Sequence, residues 1–136
     1  RFIHCIARYL PLFPNQRVFL HKLRGVKIGS NVFIGSEVFI DDAEPDLVTI
    51  EDEVTIIARA SLLAHSYYPV HMQEYFNKKR DVKGITIKKG AYIGFGSIIL
   101  PGVTIGENAI IGAGTVISND VPANALVIGQ KPRILH

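Results

Sequence analysis

Residues able to do chemistry are sparse in this chain of 136 residues, and they are unevenly placed. Of five histidines only His65 and His71 lie centrally, and none occurs from Met72 to Leu135. His4, His21 and the terminal His136 read as surface or cap residues. An imidazole suits general-base work near pH 7, although His65 taken alone reads equally as a solvent-facing corner histidine. Asp41 and Asp42 open an acidic run with Glu44 and Asp46; their carboxylates suit the hydroxyls of a sugar, or form no more than an acidic corner. Tyr67, Tyr68, Tyr75 and Phe76 offer flat faces that stack on a sugar ring or anchor a loop on a neighbouring subunit. His71, in the same stretch, either contacts a ligand or is a solvated loop residue. Lys78, Lys79 and Arg80 read as a solvated turn, with a phosphate contact as the alternative. The single Cys5 excludes an intrachain disulfide and fits a reducing, cytoplasmic setting; no Cys/His spacing suits structural zinc.

What must position these groups is a repeat. An aliphatic residue returns every sixth position at Ile28, Ile34 and Ile40, again at Ile50, Ile56 and Leu62, and then from Ile87 through Ile93, Ile99, Ile105 and Ile111 to Ile117. Four residues after most rungs stands a small or β-branched residue, such as Val38, Val54, Ala60, Ala91, Ser97 or Ala109. It lies two before the next rung, so the two share a face wherever the chain is extended. This period fits neither an amphipathic helix nor a meander; it is the hexapeptide signature of a parallel β-helix. Gly29, Gly35, Gly94, Gly106 and Gly112 follow rungs directly, where bulk is least welcome and the chain must turn.

The pattern divides the chain into a cap at 1–25, a solenoid at 26–128 and a basic tail at 129–136. In the cap, Phe2, Ile3, Ile6, Tyr9 and Leu10 recur at helical spacing before Pro11, and Val18, Phe19, Leu20 and Leu23 follow. We expect short helical pieces over the open end of the solenoid; an amphipathic segment resting on a membrane surface is the alternative. The ladder breaks twice, over Asp41–Val48 and, at greater length, over residues 66–84, expected as a loop. A long excursion inside a strict repeat is where function concentrates. The formal charge of +3 is spread along the chain and suggests no nucleic-acid partner. No apolar run approaches bilayer-spanning length, and no signal-peptide cleavage pattern is visible.

The stretch Ile87–Ile117, with its Leu-Pro-Gly-Val-Thr-Ile-Gly and Ile-Gly-Ala-Gly-Thr blocks, followed by Asn119-Asp120-Val121-Pro122, resembles the hexapeptide-repeat acyltransferases. Within them it is most similar to the maltose/galactoside-type acetyltransferases and their relatives in polysaccharide gene clusters. The resemblance implies an all-β, left-handed parallel β-helix, acetyl-CoA as co-substrate, no metal, and a homotrimer with active sites between subunits. His65 stands where that family has its catalytic base, and the backbone N–H of Phe95 where it has the oxyanion donor. Ala113 matches a pantetheine contact, Ser118 and Asn119 a pair at the adenosine end, and Arg133 a tail arginine at the phosphates. Asn119 replaces a customary lysine, for which Lys131 can substitute, and Ala64-His65-Ser66 replaces Thr-His-Pro. Asp41, Asp42, Tyr67 and His71 are then the candidates for acceptor binding. The function so implied is O-acetylation of a carbohydrate of a capsule, exopolysaccharide or lipopolysaccharide. The alternatives are N-acetylation of a nucleotide-linked amino sugar, a zinc γ-carbonic anhydrase, and a non-catalytic scaffold.

Overall fold

The computed structural model describes residues 1–135, so His136 lies outside the described residues. The ladder builds coils of three short strands each. The first coil is β1 (Lys27–Ile28), β2 (Phe33–Ile34) and β3 (Phe39–Ile40); the second is β4 (Val48–Ile50), β5 (Thr55–Ile56) and β6 (Ser61–Leu62). An excursion follows, with β7 (His65–Tyr67) and β8 (Arg80–Val82). The third coil is β9 (Ile85–Ile87), β10 (Tyr92–Ile93) and β11 (Ile98–Ile99), the fourth β12 (Thr104–Ile105), β13 (Ile110–Ile111) and β14 (Val116–Ile117), and β15 (Leu126–Val127) closes the series. Strands stack in parallel as β1-β4-β9-β12, β2-β5-β10-β13-β15 and β3-β6-β11-β14, which makes a three-sided prism. Rung meets rung in register: Ile34 on Ile56, Ile56 on Ile93, and Ile93 on Ile111. Every rung from Ile34 to Ile117 is buried, as are Val38, Val54, Ala60, Ala91, Ser97 and Ala109 between them.

The glycines after the rungs serve close approach, and the turn itself comes two residues later. A Cβ on Gly106 would lie 2.4 Å from Ala123 N and 2.5 Å from Pro122 C in the coil above, both backbone atoms that cannot swing aside. The left-handed corner residues include Asn31, Glu37, Glu53, Arg59, Gly96, Asn108 and Gly114. Gly106→Ala is therefore expected to destabilise the fold by about 1–3 kcal/mol. Gly114→Ala, with open space but φ +66, should cost about 1 kcal/mol. Thermal melts of the two variants check the order.

Two helices close the first coil: α1 (Phe2–Tyr9) and α2 (Pro14–Leu23), which pack on each other and, through α2, on β1 and β2. Pro14 opens α2 at a position where no amide is needed, and Phe13 N–H donates to the Gln16 side chain. In later coils the carbonyls of Ile56 and Leu62 accept from Gly35 and Asp41 N–H below them. The matching carbonyls of the first coil have no coil below. Arg17 Nη1 donates to Ile34 O at 3.2 Å, and Arg24 Nη2 to Ile40 O at 2.6 Å, so two guanidinium groups stand in for the missing strand.

This role draws polar side chains inward. His4, Arg17 and His21 are buried in the cap, so of the two readings of these histidines, surface or cap, the second describes them. Burial first, and the nearby Arg24 charge second, lower His4 from 6.5 to about 4 and His21 from 6.5 to about 3. Both remain neutral in the fold while the unfolded chain takes up protons below 6.5. Their contribution is thus complete above that pH and is lost as pH falls toward 4 and 3. His21 alone should cost about 2 kcal/mol of stability by about pH 5. Melting at about pH 7 and pH 5 should show a drop of roughly 5–10 °C; an unchanged midpoint would show that these rings are not buried neutral.

Residues 66–84 are not the irregular loop expected from the loss of period. β7 and β8 pair antiparallel, His65 opposite Val82 and Tyr67 opposite Arg80, and α3 (Val70–Phe76) bridges them. Tyr68 packs on Phe76 at 4.7 Å, and its hydroxyl donates to Asp81, which Lys78 also meets at 2.7 Å. Arg80 pairs with Glu44 at 2.5 Å and so ties the excursion to the smaller break. Lys78 and Arg80 are thus paired with carboxylates of their own chain.

Candidate active site

The two breaks in the ladder fall on the same edge of the prism, because each follows a strand of the β3-β6 stack. Ile40 lies beside Leu62, so Asp41 is carried next to the segment Leu63–His65, and Asp41 N–H donates to Leu62 O at 2.9 Å. The Asp41 side chain turns inward and is wholly buried. Its Oδ1 accepts from Ala43 N–H at 3.0 Å and Glu44 N–H at 2.9 Å, and its Oδ2 from Ala64 N–H at 2.7 Å. The His65 Nδ1 stands 2.6 Å from Oδ2 and 2.8 Å from Oδ1. Burial alone would push the Asp41 carboxyl up, but the bonds from Glu44, Ala64, His65 and Ala43 together hold it below the usual carboxylate range.

An ionised carboxylate at Nδ1 fixes the imidazole with its proton on that nitrogen. Among the described residues Nε2 makes no hydrogen bond and is not a buried unpaired atom, which leaves it available as a proton acceptor. The His65 side chain is only 13% exposed, and the Tyr67 ring stands edge-on to it at 5.0 Å. This corrects the sequence reading of Asp41 as a surface carboxylate for a sugar: its oxygens are spent on the chain and on His65. The signal was present in the sequence, since Asp41 directly follows a rung one coil below the rung preceding His65.

Asp42, half-buried, has a carboxylate oxygen within 4.8 Å of ligand atoms of both Asp41 and His65. With Nδ1 and both Asp41 oxygens already engaged, this group is a hydrogen-bonded pair beside a second carboxylate and not an open set of metal ligands. Asp42 also lines a pocket of about 190 Å³ with His4, Cys5, Arg8, Tyr9 and Phe39. Tyr67 is exposed beside His65, and His71 is exposed on α3.

The remaining predicted residues divide between two edges. Phe95 and Ala113 follow β10 and β13, at the edge between the second and third faces; Gly114 N–H donates to Phe95 O at 2.8 Å, so the two positions stack. Phe95 N–H donates no bond among the described residues, as an oxyanion donor requires. Ser118 and Asn119 follow β14, on the His65 edge but two coils away, and both are exposed. Lys131 and Arg133 are exposed in the tail beyond β15. His65 and Phe95 therefore lie on different edges of one prism.

Two family models match the chain: "Bacterial transferase hexapeptide (six repeats)" over residues 84–119 and "Hexapeptide repeat of succinyl-transferase" over residues 25–58. No curated protein matches it in a sequence search. Among solved structures, it is similar to a hexapeptide-repeat acetyltransferase from Vibrio cholerae O1 biovar eltor, complexed with acetyl-coenzyme A. The TM-score is 0.68 at 20% identity, over 99% of this chain and 82% of that one. A maltose O-acetyltransferase from Clostridium difficile 630 aligns at TM-score 0.61 and 22% identity, over 93% of this chain and 77% of that one. The polysialic-acid-specific acetyltransferase NeuO aligns at 0.62 and 27%, over 81% of this chain and 50% of that one. The common fold is the left-handed parallel β-helix. Its repeat and its three-stranded coils are thus those of the hexapeptide-repeat transferases, matched over residues 25–58 and 84–119.

Proposed function

We propose that this protein is an acetyl-CoA-dependent O-acetyltransferase acting on a carbohydrate, with His65 as base and Asp41 as the group that orients it. The carrying observation is the buried Asp41 carboxylate 2.6 Å from His65 Nδ1, at the opening of the excursion, with Nε2 left free. An acceptor hydroxyl gives its proton to Nε2 as its oxygen attacks the thioester carbonyl. Phe95 N–H holds the resulting oxyanion, and collapse expels the coenzyme thiolate, which takes the proton back from Nε2. Ala113, Ser118, Asn119, Lys131 and Arg133 hold the coenzyme, the cations serving its phosphates. Asp42, Tyr67 and His71 face the acceptor.

Because His65 and Phe95 occupy different edges, the site is completed by a second copy, and a trimer supplies three such clefts. The outward residues support this: Lys27, Thr49, Thr86 and Thr104 make the first face polar, whereas Phe33, Tyr92, Ile110 and Leu126 on the second and Val116 on the third are apolar and exposed. The neighbours' own descriptions, maltose O-acetylation and a polysialic-acid-specific activity, support a sugar acceptor. Turnover of acetyl-CoA against panels of neutral sugars, polysaccharides and amino sugars tests the reading. Release of coenzyme dependent on a hydroxyl acceptor is expected; transfer confined to amino sugars would replace it with N-acetylation, and turnover with neither would remove it.

A further inference from the structure

The cap helices are amphipathic the wrong way round for a helix in water. A helix on a protein surface buries its apolar stripe and exposes its charged one. Here α1 and α2 bury His4, Ala7, Arg17 and His21, Arg17 because the open coil needs a donor, and expose Phe2, Tyr9, Leu10, Phe13, Phe19 and Leu23. Phe2 is 79%, Phe13 73% and Phe19 63% exposed. Between them Ile6, Leu12, Asn15, Gln16, Phe19 and Leu20 line a shallow groove of about 490 Å³. Such a continuous apolar face marks a contact with something apolar.

Charge says what that something is. Residues 1–36 contain six basic side chains, Arg1, Arg8, Arg17, Lys22, Arg24 and Lys27, and no Asp or Glu. The remainder of the chain carries nine basic and twelve acidic residues, a net of −3. The first 36 residues are thus a cationic, aromatic end on an acidic body; Arg17 and Arg24 are engaged by the first coil's carbonyls, and Arg1, Lys22 and Lys27 are exposed, the first two next in sequence to the exposed Phe2 and Leu23. Among the described residues no helix is long and apolar enough to cross a membrane. Aromatic and aliphatic side chains that enter the acyl boundary, ringed by cations that meet anionic headgroups, make an interfacial contact instead.

We propose that the cap face of α1 and α2 docks on an anionic membrane surface. The pocket that Asp42 lines includes Arg8 and Tyr9 of α1, so docking brings that pocket, with Asp42 close to His65, toward the lipid interface, where an acceptor carried on lipid would be presented. The docking itself does not depend on the proposed chemistry.

Flotation of the purified protein with vesicles of phosphatidylcholine, alone or mixed with phosphatidylglycerol, tests this. Binding is expected to be at least about ten-fold stronger to the anionic vesicles and to weaken as salt is raised. The double variant Phe13→Glu/Phe19→Glu should lose it by about ten-fold or more while melting like the parent, since both side chains are exposed. Lack of binding to the anionic vesicles, equal binding by the double variant, or a change in its oligomeric mass would overturn the proposal, the last by showing that another copy covers this face.

Discussion

His65→Ala is expected to lower acetyl-CoA turnover by about 10²–10⁴-fold and to leave the fold in place. The loss follows from Nε2 being a base that the fold holds in a fixed tautomer through the Nδ1–Asp41 bond. The fold survives because Asp41 keeps its bonds from the Ala43, Glu44 and Ala64 amides, so the buried carboxylate loses one donor of several. Steady-state turnover and the melting midpoint, measured on the same preparation, separate the two effects. Wild-type turnover in a folded variant would leave the solenoid as a scaffold without this chemistry.

Asp41→Asn should reduce kcat by about 10²–10⁴-fold while changing KM for acetyl-CoA little. Asparagine is nearly isosteric, and with its carbonyl kept on Ala64 N–H its N–H₂ takes the place of the oxygen that accepts from Ala43 and Glu44 N–H, so some stability is lost as well. Its amide then turns an N–H₂ toward His65 Nδ1, which must become the acceptor, and the ring proton moves to Nε2. The base is then blocked at the atom that has to receive the proton. A merely structural role for Asp41 would lower stability and leave kcat per folded molecule unchanged, so the kcat-against-KM split and a melt distinguish the two. Because the native Asp41 carboxyl lies below its ordinary value of 3.8, its own contribution to stability is present above that pH and is lost only as pH falls below it.

The ladder was legible because burial in a β-helix is periodic along the chain. Each rung from Ile34 to Ile117 lies where the six-residue phase puts it, and the small residues between them fill the prism. What escaped was periodic across coils. Asp41 and His65 are 24 residues apart, and the pair becomes visible only when Ile40 is stacked on Leu62, with the four-residue enlargement of the first break allowed for. The helical spacing in the cap was also legible, but its inside and outside were reversed. Phe19 and Leu23, which carry the helical spacing of α2, are exposed, whereas the unpaired Ile34 and Ile40 carbonyls draw Arg17 and Arg24 inward. The excursion was located correctly by the loss of period; its hairpin was not seen, because β7 and β8 pair with each other and not with the repeat.

The most direct measurement is a structure of the assembled protein with coenzyme A bound. The account predicts the thiol sulfur within about 4 Å of His65 Nε2 of one copy, beside Phe95 N–H of the adjacent copy. A thiol held away from His65, or a coenzyme bound wholly by one copy, would contradict it.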